Sequence, residues 1–261
     1  MPVLEIKDLS VNFGGLKAVN GFNLTMEKGN LVGLIGPNGA GKTTVFNLLT
    51  GVYMPTGGTI KLINTKGKAT SLAGLEPWRI ARLGMTRTFQ NIRLFKRMSV
   101  LDNVRVSIHP NVKYKSLSAI LRLPIYWKEE ERLIDEAMEL LKIFGLEIKA
   151  YELAGSLPYG EQRKLEIVRA LAARPQILLL DEPAAGMNPQ ETQELTKLIG
   201  SIRDRFDLTI LLIEHDMSLV MNICERILVL DYGELIADGL PVEIRNNPQV
   251  IKAYLGEEVK I

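Results

Sequence analysis

Gly36-Pro37-Asn38-Gly39-Ala40-Gly41-Lys42-Thr43-Thr44 sets three glycines, a lysine and two hydroxyls close together in one stretch. Glycines at these positions let the backbone turn several N–H groups toward one centre, and a helix starting at the end adds the positive end of its dipole. A polyphosphate is the natural occupant. Lys42 would reach the β and γ phosphates, the Thr43 hydroxyl is placed for Mg²⁺, and Thr44 is a donor to the α phosphate. Two further clusters supply what phosphate hydrolysis needs. In Asp181-Glu182 the first acid suits water-mediated Mg²⁺ binding, and the second suits a base or orienting group for an attacking water. In Glu214-His215-Asp216 a neutral imidazole could hydrogen-bond a γ phosphate, with a helix cap or a packing role as the alternative.

The elements that must position these groups are legible around them. Leu31 to Ile35 is an apolar run before the glycine loop, and Val45 to Leu49 form helix after it. Ile177 to Leu180 and Thr209 to Ile213 are continuous apolar runs, typical of strands buried on both faces of a parallel sheet. A helical pattern at Leu195, Leu198, Ile199 and Ile202 separates them. The strand-helix-strand order predicts an α/β fold, a P-loop NTPase core, with both acids and His215 at the carboxyl ends of strands, where open α/β sheets bind ligands. Short runs at Leu4–Leu9, Leu24–Met26 and Ile60–Ile63, with Gly14-Gly15 and Gly57-Gly58 nearby, predict an antiparallel β subdomain. Ile227–Leu230 and Leu235–Ala237 predict a hairpin. Ser99 before Val100, Leu101 and Val104 is a helix-start signal, and Leu133, Ala137, Leu140, Leu141 and Phe144 predict a helix over Glu129–Phe144 that stops at Gly145. A further helix is expected over Gly160–Ala173. The expected organisation is one domain, with a core at 1–90 and 174–240, a helical subdomain at 91–173, and a helical tail at 241–261 broken at Pro248.

Composition narrows the function. The 261 residues are 46% hydrophobic and 24% charged, as in a globular protein with a sizeable core. A net charge of +2 gives no global field for nucleic acid, and the nearby aromatics form no stacking module. Trp78 to Leu101 nevertheless contains Arg79, Arg82, Arg87, Arg93, Lys96 and Arg97 and no acid. It is either a solvated face or a contact for anionic headgroups or a membrane partner. The acids Glu129, Glu130, Glu131, Asp135, Glu136 and Glu139 are expected on a solvated helix face. The single Cys224 excludes an internal disulfide and is expected in the core. Glu5, Lys7 and Asp8 near the start argue against a signal peptide, and no apolar run approaches the roughly 18 residues of a membrane span. A soluble, cytoplasmic chain is expected. Phe13, before a glycine pair, is either a base-stacking or a core aromatic.

With these residues placed, the sequence resembles the ATP-binding subunits of ABC transporters over nearly its whole length. Phe13 matches the adenine-stacking aromatic, Gly36 to Thr44 the Walker A loop, Gln90 the glutamine loop, and Ile177 to Glu182 the Walker B strand with its catalytic glutamate. Ala184-Ala185-Gly186-Met187-Asn188 matches the D-loop and His215 the switch histidine. Leu157-Pro158-Tyr159-Gly160-Glu161-Gln162 occupies the signature position, usually Leu-Ser-Gly-Gly-Gln, and departs from it at Pro158 and Tyr159. Arg87-Thr88-Phe89-Gln90, Tyr159, Ala185 to Pro189 and the closing Ala253-Tyr254-Leu255-Gly256-Glu257 are similar to the larger ATPase of branched-chain amino-acid importers. The ATPase of lipopolysaccharide export is the alternative within the family. An ATP-gated subunit with little hydrolysis, suggested by the altered signature, and a soluble P-loop kinase or GTPase are rivals of a different class.

The resemblance implies ATP and Mg²⁺ as ligands, with Gln90 as a further metal-sensing residue and Tyr159, Gly160 and Glu161 closing a nucleotide site. It also implies a second ABC ATPase subunit, different or identical, two membrane permeases and an extracytoplasmic substrate-binding protein, with the chain peripheral on the cytoplasmic face of the membrane. Either the variant signature weakens one of two ATP sites, or the Tyr159 hydroxyl or a shifted helix start replaces the missing serine.

Overall fold

The structure is a computed structural model and describes residues 1–109, 112 and 116–255. The chain divides into two compact units, Met1–Arg87 with Gln176–Ile261, and Thr88–Pro175.

In the first unit, β1 (Pro2–Phe13), β2 (Leu16–Glu27), β4 (Gly57–Ile63) and β5 (Ala69–Ser71) form an antiparallel sheet in the order β2-β1-β4-β5. β1 and β2 run well beyond the short stretches predicted for them. Their pairing shifts register between Ile6 and Leu9 and again between Leu9 and Val11, so the bulges interrupt the two-residue alternation that marks a strand in sequence. A second sheet takes the order β10-β9-β3-β8-β7-β6, from β3 (Leu31–Ile35), β6 (Met85–Arg87), β7 (Ile177–Asp181), β8 (Thr209–Ile213), β9 (Arg226–Asp231) and β10 (Glu234–Gly239). Neighbours from β9 through β6 pair in parallel, and β10 closes one edge antiparallel as the expected hairpin. Every residue of β3, β7 and β8 is buried, which is why their sequences are apolar without alternation.

The first unit's helices are α1 (Lys42–Leu49), α2 (Pro77–Arg82), α7 (Pro189–Phe206), α8 (Met217–Ile223), α9 (Pro241–Arg245) and α10 (Pro248–Leu255). α7 starts at a complete capping box. Asn188 Oδ1 accepts from the Gln190 and Glu191 amides, and Glu191 accepts from the Asn188 N–H. Cys224 is buried beside Gly33, and burial pushes its thiol pKa up to about 12. The tail breaks between α9 and α10, while the expected Gly256-Glu257 ending lies outside the described residues.

The second unit holds α3 (Val100–Ile108), α4 (Ser116–Ile120), α5 (Pro124–Ile143) and α6 (Tyr159–Ala172). Ser99 caps α3 by accepting from the Asp102 amide. α5 begins five residues before the predicted Glu129 because Pro124 takes its first position, where a missing N–H costs nothing. The expectation of a solvated acidic face holds for only part of α5. Glu131, Asp135 and Glu139 are exposed, but Glu129 is buried against Arg132, Glu130 pairs with Arg105, and Glu136 bridges Arg132 and Arg174.

The basic stretch is likewise divided between the two units, and not all of it is surface. Arg79 and Arg82 lie by the Trp78 ring, Arg93 stacks on Phe89 at 4.1 Å, and Arg87 is internal. No helix among the described residues is long and apolar enough to cross a membrane.

Candidate active site

The loop from Gly36 to Gly41 leaves β3 and enters α1. A side chain at Gly36, where φ is +148°, would meet the Leu230 carbonyl at 2.0 Å, and one at Gly41 would meet the Ala18 carbonyl at 2.6 Å. Glycine at both positions is therefore a requirement of close backbone approach as well as of conformation. α1 has no side-chain cap and no acid in its first turn, so its amino end keeps its positive partial charge. Lys42 folds back over the loop, its Nζ donating to the carbonyls of Gly36 at 2.7 Å and Pro37 at 2.8 Å. Burial pulls the Lys42 ammonium below its usual pKa, against the opposing pull of Glu182 and then Asp181. Thr43 is exposed at the start of α1, and Thr44 is half-buried beside it.

β3, β8 and β7 are adjacent parallel strands, so their carboxyl ends share one edge. Asp181 ends β7, and Glu182 follows with φ +47°, a conformation uncommon for a residue with a side chain. That turn aims the Glu182 carboxylate at His215, just past β8, with Oε1 and Nε2 at 2.7 Å. Beneath the histidine, Glu214 is buried. Its Oε1 accepts from the Ala184 amide at 2.6 Å, and its Oε2 from the His215 amide at 3.0 Å. Burial, partly offset by these amides, raises the Glu214 pKa.

Asp181 is paired with a residue that the sequence reading left on the surface. Arg87, the last residue of β6, donates to Asp181 Oδ2 at 2.6 Å and to Asn47 Oδ1 at 2.7 Å, with its guanidinium 5.3 Å from the centre of the Phe46 ring. β6 lies beside β7 with Arg87 level with Leu179, two residues short of Asp181. Arg87 was legible as one of several cations and as the start of the Arg87-Thr88-Phe89-Gln90 stretch, with no internal partner assigned to it. Nothing in the spacing of the basic stretch distinguished an internal arginine from an exposed one.

The other predicted residues are placed as follows. Phe13, at the end of β1, is partly exposed and meets Tyr53 edge to face at 5.1 Å, a partner that sequence reasoning missed. Gln90, Tyr159, Gly160 and Glu161 belong to the second unit. There the Gln90 carbonyl accepts from Arg163 at 3.1 Å, and both Glu161 oxygens accept from Lys149 at 2.7 Å. Pro158 is the cap residue of α6 and offers no side-chain hydrogen bond. Lys42, Thr43, Asp181, Glu182 and His215 are together in the first unit.

The donor set suits a polyphosphate with a hard cation. The loop is an amide cradle with no space for side chains at Gly36 and Gly41, and the oxygens nearby belong to a hydroxyl and carboxylates, the ligand type of Mg²⁺. Among the described residues there is no cluster of three or more His, Cys, Asp or Glu that would cage a metal without a substrate.

The family model described as ABC transporter matches residues 19–185, and one described as branched-chain amino acid ATP-binding cassette transporter matches residues 234–260. The chain is 49% identical over 256 residues to the high-affinity branched-chain amino acid transport ATP-binding protein BraF of Pseudomonas aeruginosa, covering 98% of each chain. It is 50% identical, with the same coverage, to LivG of Escherichia coli, which carries the same description. The lipopolysaccharide export system ATP-binding protein LptB of Escherichia coli is 35% identical over the full length of both chains. A solved ATP-binding cassette of an ABC transporter in its ADP conformation superposes with a TM-score of 0.83 at 29% identity, covering 98% of this chain and 100% of the other.

Proposed function

The chain belongs to the ABC transporter family of ATP-hydrolysing subunits, and from that premise we propose that it energises the import of branched-chain amino acids. The observation that carries the substrate reading is the match of its last elements, residues 234–260, to a model described for branched-chain amino acid cassettes. Bacterial relatives of that description match at 49–50% identity and an archaeal one at 33%, against 35% for the lipopolysaccharide-export relative.

In the proposed mechanism the loop amides and Lys42 bind the phosphates of ATP. Two of the three Lys42 donors are spent on Gly36 and Pro37, which fixes the ammonium and leaves the third for a phosphate oxygen. Thr43 and Asp181 would hold Mg²⁺, which would neutralise charge on the phosphates, and Gln90 is the further metal-sensing residue that the family resemblance implies. Glu182 accepts a proton from the attacking water. His215 holds that carboxylate in place through Nε2, and the same nitrogen can donate to a γ-phosphate oxygen, releasing Glu182 to the water. Phe13, with Tyr53, offers the adenine an aromatic edge.

The second nucleotide-facing surface, around Tyr159, Gly160 and Glu161, serves the site of a partner ATPase. The membrane is met only through two permeases, with an extracytoplasmic binding protein delivering substrate, so the chain sits peripherally on the cytoplasmic face.

The test is reconstitution with its permeases and binding protein in proteoliposomes. ATP-dependent uptake of labelled leucine, isoleucine or valine is expected, together with ATPase stimulation by the loaded binding protein. Full ATPase coupling with no uptake of any of the three would overturn the substrate reading and leave the ATPase assignment standing.

A further inference from the structure

Glu214 is a buried carboxylate that the hydrolytic mechanism does not use. It lies 3% exposed, one residue past β8 and directly before His215. A carboxylate in that position is costly unless its oxygens are matched by donors, and here they are matched entirely by backbone. Oε1 takes the Ala184 amide at 2.6 Å, while Oε2 takes the His215 amide at 3.0 Å and lies 3.5 Å from the Asp216 amide. Ala184 stands in the loop that Glu182 opens, and the Ala185 amide returns to the Glu182 carbonyl at 3.1 Å.

A closed circuit results. The Glu182 side chain meets the His215 side chain, the His215 backbone meets Glu214, Glu214 meets the Ala184 backbone, and Ala184 leads back through the chain to Glu182. We infer that Glu214 is a positioning residue for ATP hydrolysis, bracing the loop after β7 against the end of β8 so that Glu182 and His215 stay in register. The inference rests on the reading that Glu182 and His215 carry the chemistry.

Two features make the brace specific to a carboxylate. Only a group with two acceptor oxygens and no donor can face three N–H groups from two directions. In addition, Glu182 is held at φ +47°, so its side-chain direction depends on a loop that would otherwise relax toward ordinary backbone conformations. A shift of the Ala184 segment would swing the Glu182 carboxylate away from His215 even with both side chains present.

The experiment is a double-mutant cycle in the full chain, assembled with its transport partners, using Glu214→Gln and His215→Ala. The amide keeps the size of Glu214 but sets an NH₂ against a backbone N–H. In the otherwise native chain Glu214→Gln is expected to lower kcat by about ten- to a hundredfold, the worth of charge-assisted hydrogen bonds, with the KM for ATP within about twofold. On the His215→Ala background, where there is no longer an imidazole to align, the further loss is expected to be under about threefold. An equal loss in both backgrounds, or a loss that appears in KM and not in kcat, overturns the brace.

A His215→Ala chain with native turnover removes the underlying reading and this inference together. A crippled His215→Ala chain with no effect of Glu214→Gln removes only the inference. Where residual turnover is too low to compare, amide hydrogen exchange decides. Faster exchange at Ala184 and His215 in Glu214→Gln is expected, and unchanged exchange at both overturns the brace.

Discussion

Arg87 and Asp181 form an ion pair at 2.6 Å with their side chains 5% and 2% exposed, so the acid assigned to Mg²⁺ already has a cation beside it. Two buried charges of opposite sign are costly to bury and more costly to separate. Replacing Arg87 by Met is expected to destabilise the nucleotide-free chain by about 3–5 kcal/mol, the range for removing one partner of such a pair. Arg87→Lys should lie between, because it restores the charge but not the fork that also holds Asn47. Denaturant melts of the three chains check this, and a Met variant melting with the native chain would remove the pair from the stability account.

Glu182→Gln keeps the size and one acceptor but removes the basic carboxylate facing His215. ATP binding should persist, and turnover should fall by at least about a hundredfold, in line with the loss of a general base. Equilibrium nucleotide binding and phosphate release measured on one preparation separate the two effects, and a closed dimer trapped with ATP should accumulate.

Cys224 links pH to stability. Its folded pKa of about 12 lies above the ordinary thiol value, so between the two the unfolded chain loses a proton that the folded chain keeps. Stability from this group is complete below the ordinary value and falls as pH rises toward 12, by at most about 4 kcal/mol at 1.36 kcal/mol per unit. Melts from pH 8 upward should show the native chain losing more stability than Cys224→Val. The thiol should also resist alkylation at pH 8 until the chain unfolds.

Pro158 caps α6 without a side-chain hydrogen bond. Pro158→Ser supplies an acceptor worth about 0.5–2 kcal/mol, against about 0.4–1 kcal/mol lost through a freer unfolded chain, so a net change between a loss of about 0.5 and a gain of about 1.6 kcal/mol is expected in melts. Combined with Tyr159→Gly in the assembled transporter, it should speed turnover at the partner's Walker A site. An unchanged rate there would make the two sites equal.

The legible part of the site was whatever local chemistry announces. The glycine loop, the apolar β7 that ends in Asp181, and His215 after β8 are each signalled by their own neighbours in sequence. What stayed hidden depends on contacts between distant segments. Arg87 meets Asp181 only because the three-residue β6 pairs with β7, and so short a strand leaves no periodicity to read. Glu214 meets Ala184 only through the adjacency of β7 and β8. Tyr53 meets Phe13 across the fold from the end of α1. The pairing of Glu136 with Arg174 was missed because an acid-rich helix has the same composition whether its partners are water or an arginine on another segment, and the pairings of Glu129 and Glu136 with Arg132 lie within α5 itself.

The attachment of the second unit has a consequence for engineering. Thr88–Pro175 departs after β6 and returns before β7, and those two strands are parallel neighbours, with the Gln176 amide bonded back to the Gly84 carbonyl. Topologically the whole unit is therefore one very long crossover between adjacent strands. Parallel neighbours cannot be joined by a tight turn, because the chain must travel the length of the strand to re-enter in the same direction, which takes about a dozen residues or more. A graft that exchanges this crossover for a relative's has a natural pair of splice points at 87/88 and 175/176, whereas a deletion that leaves a hairpin-length loop would force β6 to reverse or detach, taking Arg87 away from Asp181.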